Sequence, residues 1–375
     1  MTAQDFTIRS IEAMCFRYPL SLPVVTSFGR MTTRPAVFIR VTDEDGISGW
    51  GEAWANFPAT GAEHRARTIN EVLAPLAAGA RIAHPSEFFE ALTQRTAVLA
   101  LQSGEQGPFA QAIAGIDLAL WDLFARRRAT PLWRLLGGAN ATIKVYASGI
   151  NPTGTREMAE TALARGHRAL KLKIGFGAEI DHPNLAALRA LAGDGTLAAD
   201  ANQAWTLQQA CEAAPHLRDY NLAWLEEPIR ADRPWPEWQA LRRAATMPLA
   251  AGENFASRES FQQALSDDTL GVIQPDIAKW GGLSACAPIA RDIVAAGKRF
   301  CPHYLGGGIG LLASAHLLAG IGGDGLLEVD ANDNPLREAF CGPVAAISDG
   351  AITLGDAPGL GVEPDLVGIA QYRTV

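Results

Sequence analysis

The feature that most constrains the fold of this 375-residue chain is a unit that recurs eight times between Ile143 and Glu328. Each unit is a short β-branched or apolar run that ends in a polar residue and leads into a helical stretch. The runs cover residues 143–148, 169–173, 197–200, 223–226, 249–253, 272–276, 300–303 and 326–328. Regular alternation of strand and helix predicts a parallel sheet, and eight such units predict a closed (β/α) barrel.

The residues before this repeat follow another pattern. Strand-like alternation in residues 6–13, 36–42 and 47–52, with a turn at Asp45-Gly46, predicts a three-stranded meander. Helical periodicity follows in residues 63–76, 86–99 and 109–127. We therefore predict an α+β lobe over residues 1–130, a barrel over residues 131–330, and a segment, residues 331–375, that packs back on the first lobe.

Composition excludes several classes of protein. A hydrophobic share of 48% with 19% charged residues is typical of a globular chain and not of a disordered one. The net charge of −8, with no basic run longer than Arg126-Arg127-Arg128, argues against a nucleic-acid partner. Residues 304–323 are uncharged, but their seven glycines and His316 indicate a turn and a buried helix, so no membrane partner is expected.

Cysteine usage suggests where the protein works. The five cysteines are widely spaced and never occur as C-x-x-C, which predicts neither a disulfide framework nor a thiol zinc site. Residues 1–17 contain no apolar core of a signal peptide. We expect a cytoplasmic protein.

One ionisable residue ends each unit after the first, at intervals of 23 to 27 residues. Because the C-terminal ends of parallel barrel strands meet on one face, these side chains should surround a single cavity. They are Lys173, Asp200, Glu226, Glu253, Asp276, His303 and Glu328. A single Asp or Glu after a strand is more often a helix cap or a loop charge, but seven ionisable groups in one pocket indicate chemistry.

Three of these residues predict a metal site. Asp200, Glu226 and Glu253 end successive strands, and three carboxylates brought together would repel unless a cation held them. Oxygen ligands are those that Mg²⁺ prefers. Magnesium is therefore the expected cofactor.

The remaining ring residues predict proton transfer. Lys171 and Lys173 lie on the same side of a strand, and the nearby cations should depress the pKa of Lys173 so that it can act as a general base. Asp276 can orient His303 and stabilise its imidazolium. The base and the dyad flank the metal from opposite sides, which suits removal of a proton alpha to a carboxylate.

Taken together, these residues resemble the enolase superfamily and, within it, the mandelate racemase subgroup. The matching motifs are Lys171-Leu172-Lys173, Asp200-Ala201-Asn202, Glu226-Glu227-Pro228, Gly252-Glu253-Asn254, Gln274-Pro275-Asp276 followed by Gly281-Gly282, Pro302-His303 and Leu327-Glu328. They occur in family order and cover essentially the whole chain. The resemblance implies a modified TIM barrel of the (β/α)7β type, with an N-terminal α+β capping domain that the C-terminal tail completes.

The resemblance also implies the roles of single residues. Asp200, Glu226 and Glu253 would hold one Mg²⁺ per subunit, and Lys173 and the His303–Asp276 dyad would be the bases. Lys171 and Glu328 would lie near the reacting carbon, and Asn202 would contact substrate. Glu227 would support its neighbouring ligand, and Lys279 should not be mistaken for a base.

The expected reaction is Mg²⁺-dependent proton abstraction through an enediolate, which is the chemistry of the superfamily. Residues 302–310, 328–330 and 334–337 look similar to those of sugar-acid dehydratases and D-galactarolactone cycloisomerases. Dehydration of an acid sugar is therefore favoured, with racemisation, epimerisation or lactone cycloisomerisation as alternatives. The resemblance further implies a homo-oligomer, an octamer or a dimer.

Two loops of the first lobe are expected to close over the barrel mouth as a lid, residues 23–30 and 54–60. Their candidate substrate-binding residues are Thr26, Phe28, Arg30, Trp54 and Asn56. Ordinary loop packing explains each of them equally well.

Two other classes of function compete with this interpretation. Residues 308–313 fit G-x-G-x-x-A, and Glu328 follows at the spacing of a dinucleotide-binding oxidoreductase. That fingerprint normally opens a doubly wound domain, whereas here it follows a seventh strand. An anion-binding role for these glycines, for example toward a substrate carboxylate, stays open. A non-catalytic sugar-acid binder would need neither Lys173 nor the His303–Asp276 dyad.

Overall fold

The structure is a computed structural model that describes residues 5–375, so Met1 to Gln4, where part of the signal-peptide expectation falls, lie outside the described residues. The first lobe contains an antiparallel sheet of order β3-β2-β1-β4. Its strands are β1 (Phe6–Thr26), β2 (Gly29–Asp43), β3 (Ser48–Ala53) and β4 (Arg81–Ile82). The predicted meander is confirmed, and the two-residue β4 adds a fourth strand at its edge.

Helices α1 and α4 of this lobe pack on the sheet. The helices are α1 (Gly61–Arg67), α2 (Ala74–Ala77), α3 (Pro85–Ser103) and α4 (Gln106–Arg127), with a π-helical turn, Thr68–Leu73, between α1 and α2. The one-turn helix α5 (Leu132–Leu135) follows before the first barrel strand. The core helix is α4, which packs directly on β3 because Gly49 and Gly51 have no Cβ that would overlap its backbone.

Helix α4 is long and apolar enough to cross a membrane by length and composition alone. Its most apolar stretch is 89% buried inside the protein, which is the environment of a core helix. The run of residues 304–323 likewise forms a turn and a buried helix, as expected.

The barrel consists of eight parallel strands, and a helix follows each of the first seven. The strands are β5 (Thr142–Ile150), β6 (Ala169–Lys173), β7 (Thr196–Asp200), β8 (Leu225–Glu226), β9 (Leu249–Ala251), β10 (Val272–Ile273), β11 (Arg299–Phe300) and β12 (Leu326–Asp330). The helices are α6 (Thr155–Ala164), α7 (Ala178–Ala192), α8 (Leu207–Ala213), α9 (Trp235–Ala244), α10 (Arg258–Leu265), α11 (Gly282–Ala295) and α12 (Gly308–Ile321). The predicted (β/α)7β barrel is confirmed.

The barrel closes between β12 and β5, which are paired over five residues, and its remaining gap lies between β11 and β12. There the Leu326 backbone N–H donates to the Cys301 Sγ over 3.4 Å. A layer of buried side chains fills the interior below the site: Tyr146, Ala169, Ala198, Trp224, Ala250, Val272, Cys301 and Leu326. The barrel is therefore a packed core with its polar residues at one end.

The C-terminal segment contacts both other parts of the chain. After α13 (Pro335–Glu338), strand β13 (Ala351–Thr353) pairs antiparallel with the first three residues of β5. At the end of the chain, the Cys15 backbone N–H of the first lobe donates to the Val375 carbonyl over 3.2 Å. The segment thus bridges the lobe and the barrel.

Candidate active site

The predicted ring residues meet at the C-terminal end of the barrel, and all of them are buried or nearly so. Lys173, Asp200 and Glu226 end their strands, and Glu328 lies within β12. Strands β9, β10 and β11 are shorter than predicted, and each stops before its polar residue. Glu253, Asp276 and His303 therefore lie in the loops that directly follow, where a residue can turn into the cavity without a strand neighbour.

Lys171 is the centre of a buried ion-pair network. Its Nζ lies 2.7 Å from both oxygens of Glu226 and 2.7 Å from Glu328 Oε1. Burial opposes the charge on Lys171, but these carboxylates outweigh it and raise its pKa well above the ordinary value. Ser148 and the Tyr304 backbone N–H hold the two oxygens of Glu328 at 2.6 and 2.9 Å.

Lys173 faces the cavity beside Asp200. Its Nζ lies 2.5 Å from Asp200 Oδ2, and the Asn202 backbone N–H donates to Asp200 Oδ1 over 2.7 Å. Burial lowers the pKa of Lys173, but the Asp200 carboxylate outweighs burial and the net shift is upward. The expected depression of the pKa supposed a Mg²⁺ beside the lysine and stays a prediction; in the arrangement described, Asp200 neutralises the ammonium directly.

His303 lies on the opposite side of the cavity and is held by two carboxylates. Its Nδ1 is 2.7 Å from Asp276 Oδ2, and its Nε2 is 3.1 Å from Glu253 Oε2. Burial lowers the pKa of His303, but Glu253, Glu328 and Asp276 raise it to about 9. The predicted dyad is present, with Nε2 directed at the cavity.

The carboxylate oxygens of Asp200, Glu226 and Glu253 are of the type that binds a hard divalent cation. Asp200 and Glu226 are register partners on adjacent strands, Glu253 follows the next strand, and the buried Oδ1 of Asn202 has no hydrogen-bond partner. Within residues 5–375, however, the side chains do not converge into a ready ligand set. Each carboxylate is instead paired with a cation: Asp200 with Lys173, Glu226 with Lys171, and Glu253 with Lys279 and His303.

A cavity of about 470 Å³ lies above the ring and is covered by the first lobe. Thr26, Phe28, Trp54 and Asn56 line it, as predicted, whereas Arg30 is exposed and is not part of the lining. Arg30 points away because residues 23–30 are not an irregular loop: they form the tip of the β1–β2 hairpin, where successive side chains alternate between faces.

The lid residues also bond directly to the barrel. Ser27 Oγ donates to the Asn202 carbonyl over 2.7 Å, and the Trp54 backbone N–H donates to the Ala278 carbonyl over 3.1 Å. These hydrogen bonds hold both segments against the barrel over the site.

Two further cations line the cavity: Arg34, which escaped the sequence analysis, and Lys279, which it named only as a residue not to be mistaken for a base. Arg34, on β2, is 1% exposed and pairs with Asp330 at the end of β12. Lys279 places its Nζ 3.2 Å from Glu253 Oε2, 2.8 Å from Asn254 Oδ1 and 4.7 Å from the centre of the Trp54 ring. Spacing after Asp276 could have indicated the proximity of Lys279 to the ring, but nothing local to Arg34 indicates which barrel strand it meets.

The glycine-rich motif has a structural role. Its glycines begin α12, where Glu52 of β3 accepts hydrogen bonds from the Gly307 and Gly310 backbone N–H groups over 2.6 and 2.9 Å. This internal carboxylate occupies the place in which a substrate carboxylate or a dinucleotide phosphate would bind. Both the anion-binding role and the dinucleotide interpretation are therefore wrong, because the motif serves helix capping in a barrel.

Comparison with known proteins identifies both parts of the chain. The N-terminal domain model of mandelate racemase/muconate lactonizing enzyme matches residues 9–137, and the enolase C-terminal domain-like model matches residues 154–367.

Solved structures and curated proteins agree with these matches. A mandelate racemase/muconate lactonizing enzyme from Bordetella bronchiseptica is 52% identical, with a TM-score of 0.93 over 98% of this chain and 100% of that one. A racemase from Streptomyces coelicolor with bound magnesium is 26% identical, with a TM-score of 0.85 over 98% and 100% of the two chains. D-galactarolactone cycloisomerase of Agrobacterium fabrum is 28% identical over 98% of both chains.

Other curated relatives include dehydratases of acid sugars, racemases and epimerases. The family thus contains several reactions on one fold. The chain belongs to the mandelate racemase and muconate lactonizing enzyme family of the enolase superfamily.

Proposed function

We propose that this protein is a Mg²⁺-dependent enzyme that removes the proton alpha to a carboxylate and dehydrates an acid sugar. The observation that carries the proposal is the placement of two proton-transfer groups on opposite sides of one covered cavity. Lys173 approaches from β6, and the His303–Asp276 dyad approaches from the loops after β10 and β11. Three carboxylates lie between them: Asp200 and Glu226 at the ends of β7 and β8, and Glu253 in the loop after β9.

Asp200, Glu226 and Glu253 are the residues proposed to hold one Mg²⁺ per subunit. A bound Mg²⁺ would act as a Lewis acid on the substrate carboxylate and offset the negative charge that develops there. The magnesium-bound relative from Streptomyces coelicolor supports this choice of ion.

The side chains of the chain account for the movement of protons. In its neutral form, Lys173 or His303 accepts the alpha proton, and the electron pair of the broken C–H bond forms the double bond of an enediolate. The Lys171 Nζ and Glu328 Oε1 atoms are paired at 2.7 Å. This fixed ion pair near the reacting carbon is proposed to stabilise the enediolate. His303 then donates a proton to the β-hydroxyl, the C–O bond breaks, and water leaves with the formation of an enol that becomes a 2-keto acid.

A screen of acid sugars tests the proposal. The purified protein would be incubated with each sugar and Mg²⁺ in D₂O, and the products followed by NMR and mass spectrometry. We expect at least one sugar to lose one water molecule. Deuterium at the alpha carbon without loss of water would support proton abstraction but not dehydration, and the absence of exchange with every sugar would contradict the proposal.

Lactone cycloisomerisation is the second candidate, because the similarity to D-galactarolactone cycloisomerase covers 98% of both chains. A cycloisomerase product has the mass of its substrate, whereas a dehydratase product is lighter by one water. A racemase or epimerase product also keeps the mass but has the inverted configuration at the alpha carbon. The same screen therefore separates the reactions.

We also propose a small-molecule carboxylate as the ligand and a homo-oligomer, a dimer or an octamer, as the working state. Light scattering after size-exclusion chromatography measures the latter. A monomer at micromolar concentration would contradict it.

A further inference from the structure

The loop that carries His303 is fixed by a series of hydrogen bonds. Each of the four residues after His303 has a backbone group that is hydrogen-bonded to a side chain from another segment. Tyr304 N–H donates to Glu328 Oε2 over 2.9 Å, the Leu305 carbonyl accepts from Asn56 Nδ2 over 2.5 Å, the Gly306 carbonyl accepts from Asn334 Nδ2 over 3.0 Å, and Gly307 N–H donates to Glu52 Oε1 over 2.6 Å.

Two of these four side chains, Glu52 and Asn56, belong to the first lobe. Glu52 is 1% exposed, and its second oxygen accepts from Gly310 N–H over 2.9 Å, so both oxygens are committed to the start of α12. Contact at Gly307 is tight, since a Cβ there would lie 2.6 Å from Glu52 Oε1. The lobe therefore determines the path of the chain just after His303.

Lys173 is positioned differently. It ends β6, whose residues are paired with β5 on one side and with β7 on the other. The loop after it is held by Asp181 of the barrel, which accepts from the Gly175 and Phe176 backbone N–H groups over 2.9 and 3.2 Å. The position of Lys173 is thus set within the barrel.

We propose that Glu52 and Asn56 are positioning residues through which the capping lobe aligns His303, so that proton transfer on the His303 side of the substrate depends on the lobe and transfer on the Lys173 side does not. This inference rests on the proposed function for its catalytic consequence. The position of the capping lobe thereby affects proton transfer by His303 and does not affect proton transfer by Lys173.

Two nearly isosteric variants test the proposal. Glu52→Gln places an amide N–H₂ against a backbone N–H, and Asn56→Asp places a carboxylate oxygen against the Leu305 carbonyl. Each replaces a hydrogen bond by repulsion, and a displacement of the loop of about 1 Å is enough to cost on the order of 10²-fold in rate. Asp181→Asn is the matched control, because it disturbs the same kind of contact beside Lys173.

The first measurement is exchange of the alpha proton in D₂O, with the two alpha-carbon epimers of the substrate reporting the two sides. We expect Glu52→Gln and Asn56→Asp to slow exchange on the His303 side by about 10-fold or more. In Glu52→Gln, whose carboxylate is not part of the cavity lining, KM and exchange on the Lys173 side should stay near the wild-type values. In Asn56→Asp, the loss on the His303 side should exceed any loss on the Lys173 side. Asp181→Asn should leave the His303 side unaffected. Parallel losses on both sides, or no loss, would overturn the proposal.

The second measurement needs no substrate, so it separates this inference from the proposed function. The imidazole resonances of His303 would be assigned among the seven histidines as those missing from His303→Asn. We expect Glu52→Gln and Asn56→Asp to shift these resonances and Asp181→Asn to leave them in place. Unshifted resonances in both lobe variants would overturn the proposal even if wild-type exchange were absent, and shifted resonances would support it in that case.

Discussion

Asp276→Asn is the substitution whose consequence the structure defines most closely. Asp276 uses one oxygen, Oδ1, to accept the backbone N–H groups of Ala278 and Lys279 over 2.9 and 3.1 Å. The other, Oδ2, lies 2.7 Å from His303 Nδ1. An asparagine must keep its oxygen toward the two backbone donors, so its amide N–H₂ would face the imidazole.

This orientation forces the wrong tautomer on His303. With a donor opposite it, Nδ1 must accept, and the proton of the neutral ring moves to Nε2, the atom that faces the cavity. His303 then cannot accept a proton there, and its imidazolium loses a charge-assisted bond that contributes about 1.5–3 kcal/mol, or about 10- to 150-fold. General acid–base catalysis contributes about 10²- to 10⁴-fold to a rate. We therefore expect the rate of exchange on the His303 side to decrease by a factor of about 10² to 10⁴.

Alpha-proton exchange in D₂O followed by NMR measures the effect, with circular dichroism as the check of folding. The substitution keeps the size of the side chain and both backbone contacts, so the fold should persist and the Lys173 side should retain its rate. Equal losses on the two sides would show that Asp276 supports the site as a whole, and an unchanged His303 side would refute the role of the dyad.

Three further predictions concern other parts of the structure. Lys173→Ala should abolish exchange on one epimer while the circular dichroism spectrum is unchanged, and undiminished turnover of every substrate would exclude Lys173 as a base. Glu253→Gln should weaken Mg²⁺ binding measured by calorimetry, and an unaltered affinity would remove Glu253 from the proposed ligands. Asp117 is buried in helix α4 and accepts hydrogen bonds from the Ser284 backbone N–H and hydroxyl. Asp117→Asn should alter the pH dependence of stability, because burial raises the pKa of Asp117 from 3.8 to about 7. Between these two pKa values the folded state retains a proton that the unfolded state releases. The contribution of Asp117 to the free energy of unfolding is therefore fully present below pH about 4 and is lost as the pH rises to about 7. The loss amounts to up to about 4 kcal/mol. The difference in urea-unfolding free energy between variant and wild type should change across this window, and a constant difference would contradict the assignment.

The barrel and most of its polar ring could be predicted because their information is local and periodic. Each unit after the first carries an ionisable residue at its strand end or in the loop that directly follows, and the closed topology brings the strand ends together whatever the details of the helices. The lysines of β6 could be placed on one side by the two-residue period of a strand alone.

What escaped prediction depends on contacts between distant segments. Arg34 lies inside a strand whose register against the barrel is set by lobe packing, and its partner Asp330 is 296 residues away. Glu52 is the penultimate residue of β3, in a pattern that also fits a solvent-exposed acid, and only the structure shows that it caps α12. The protonation of Lys173 depends on a carboxylate at 2.5 Å, a distance that no spacing encodes.

The central claim is that Lys173 and His303 act on one substrate carbon from opposite sides. Its most direct test is alpha-proton exchange in D₂O with Mg²⁺, for both epimers of the best acid sugar from the screen, by wild type, Lys173→Ala and His303→Asn. Wild type should exchange the proton, and each variant should lose exchange with a different epimer. Loss of exchange with the same epimer in both variants, or retention with both epimers in either one, would contradict the claim.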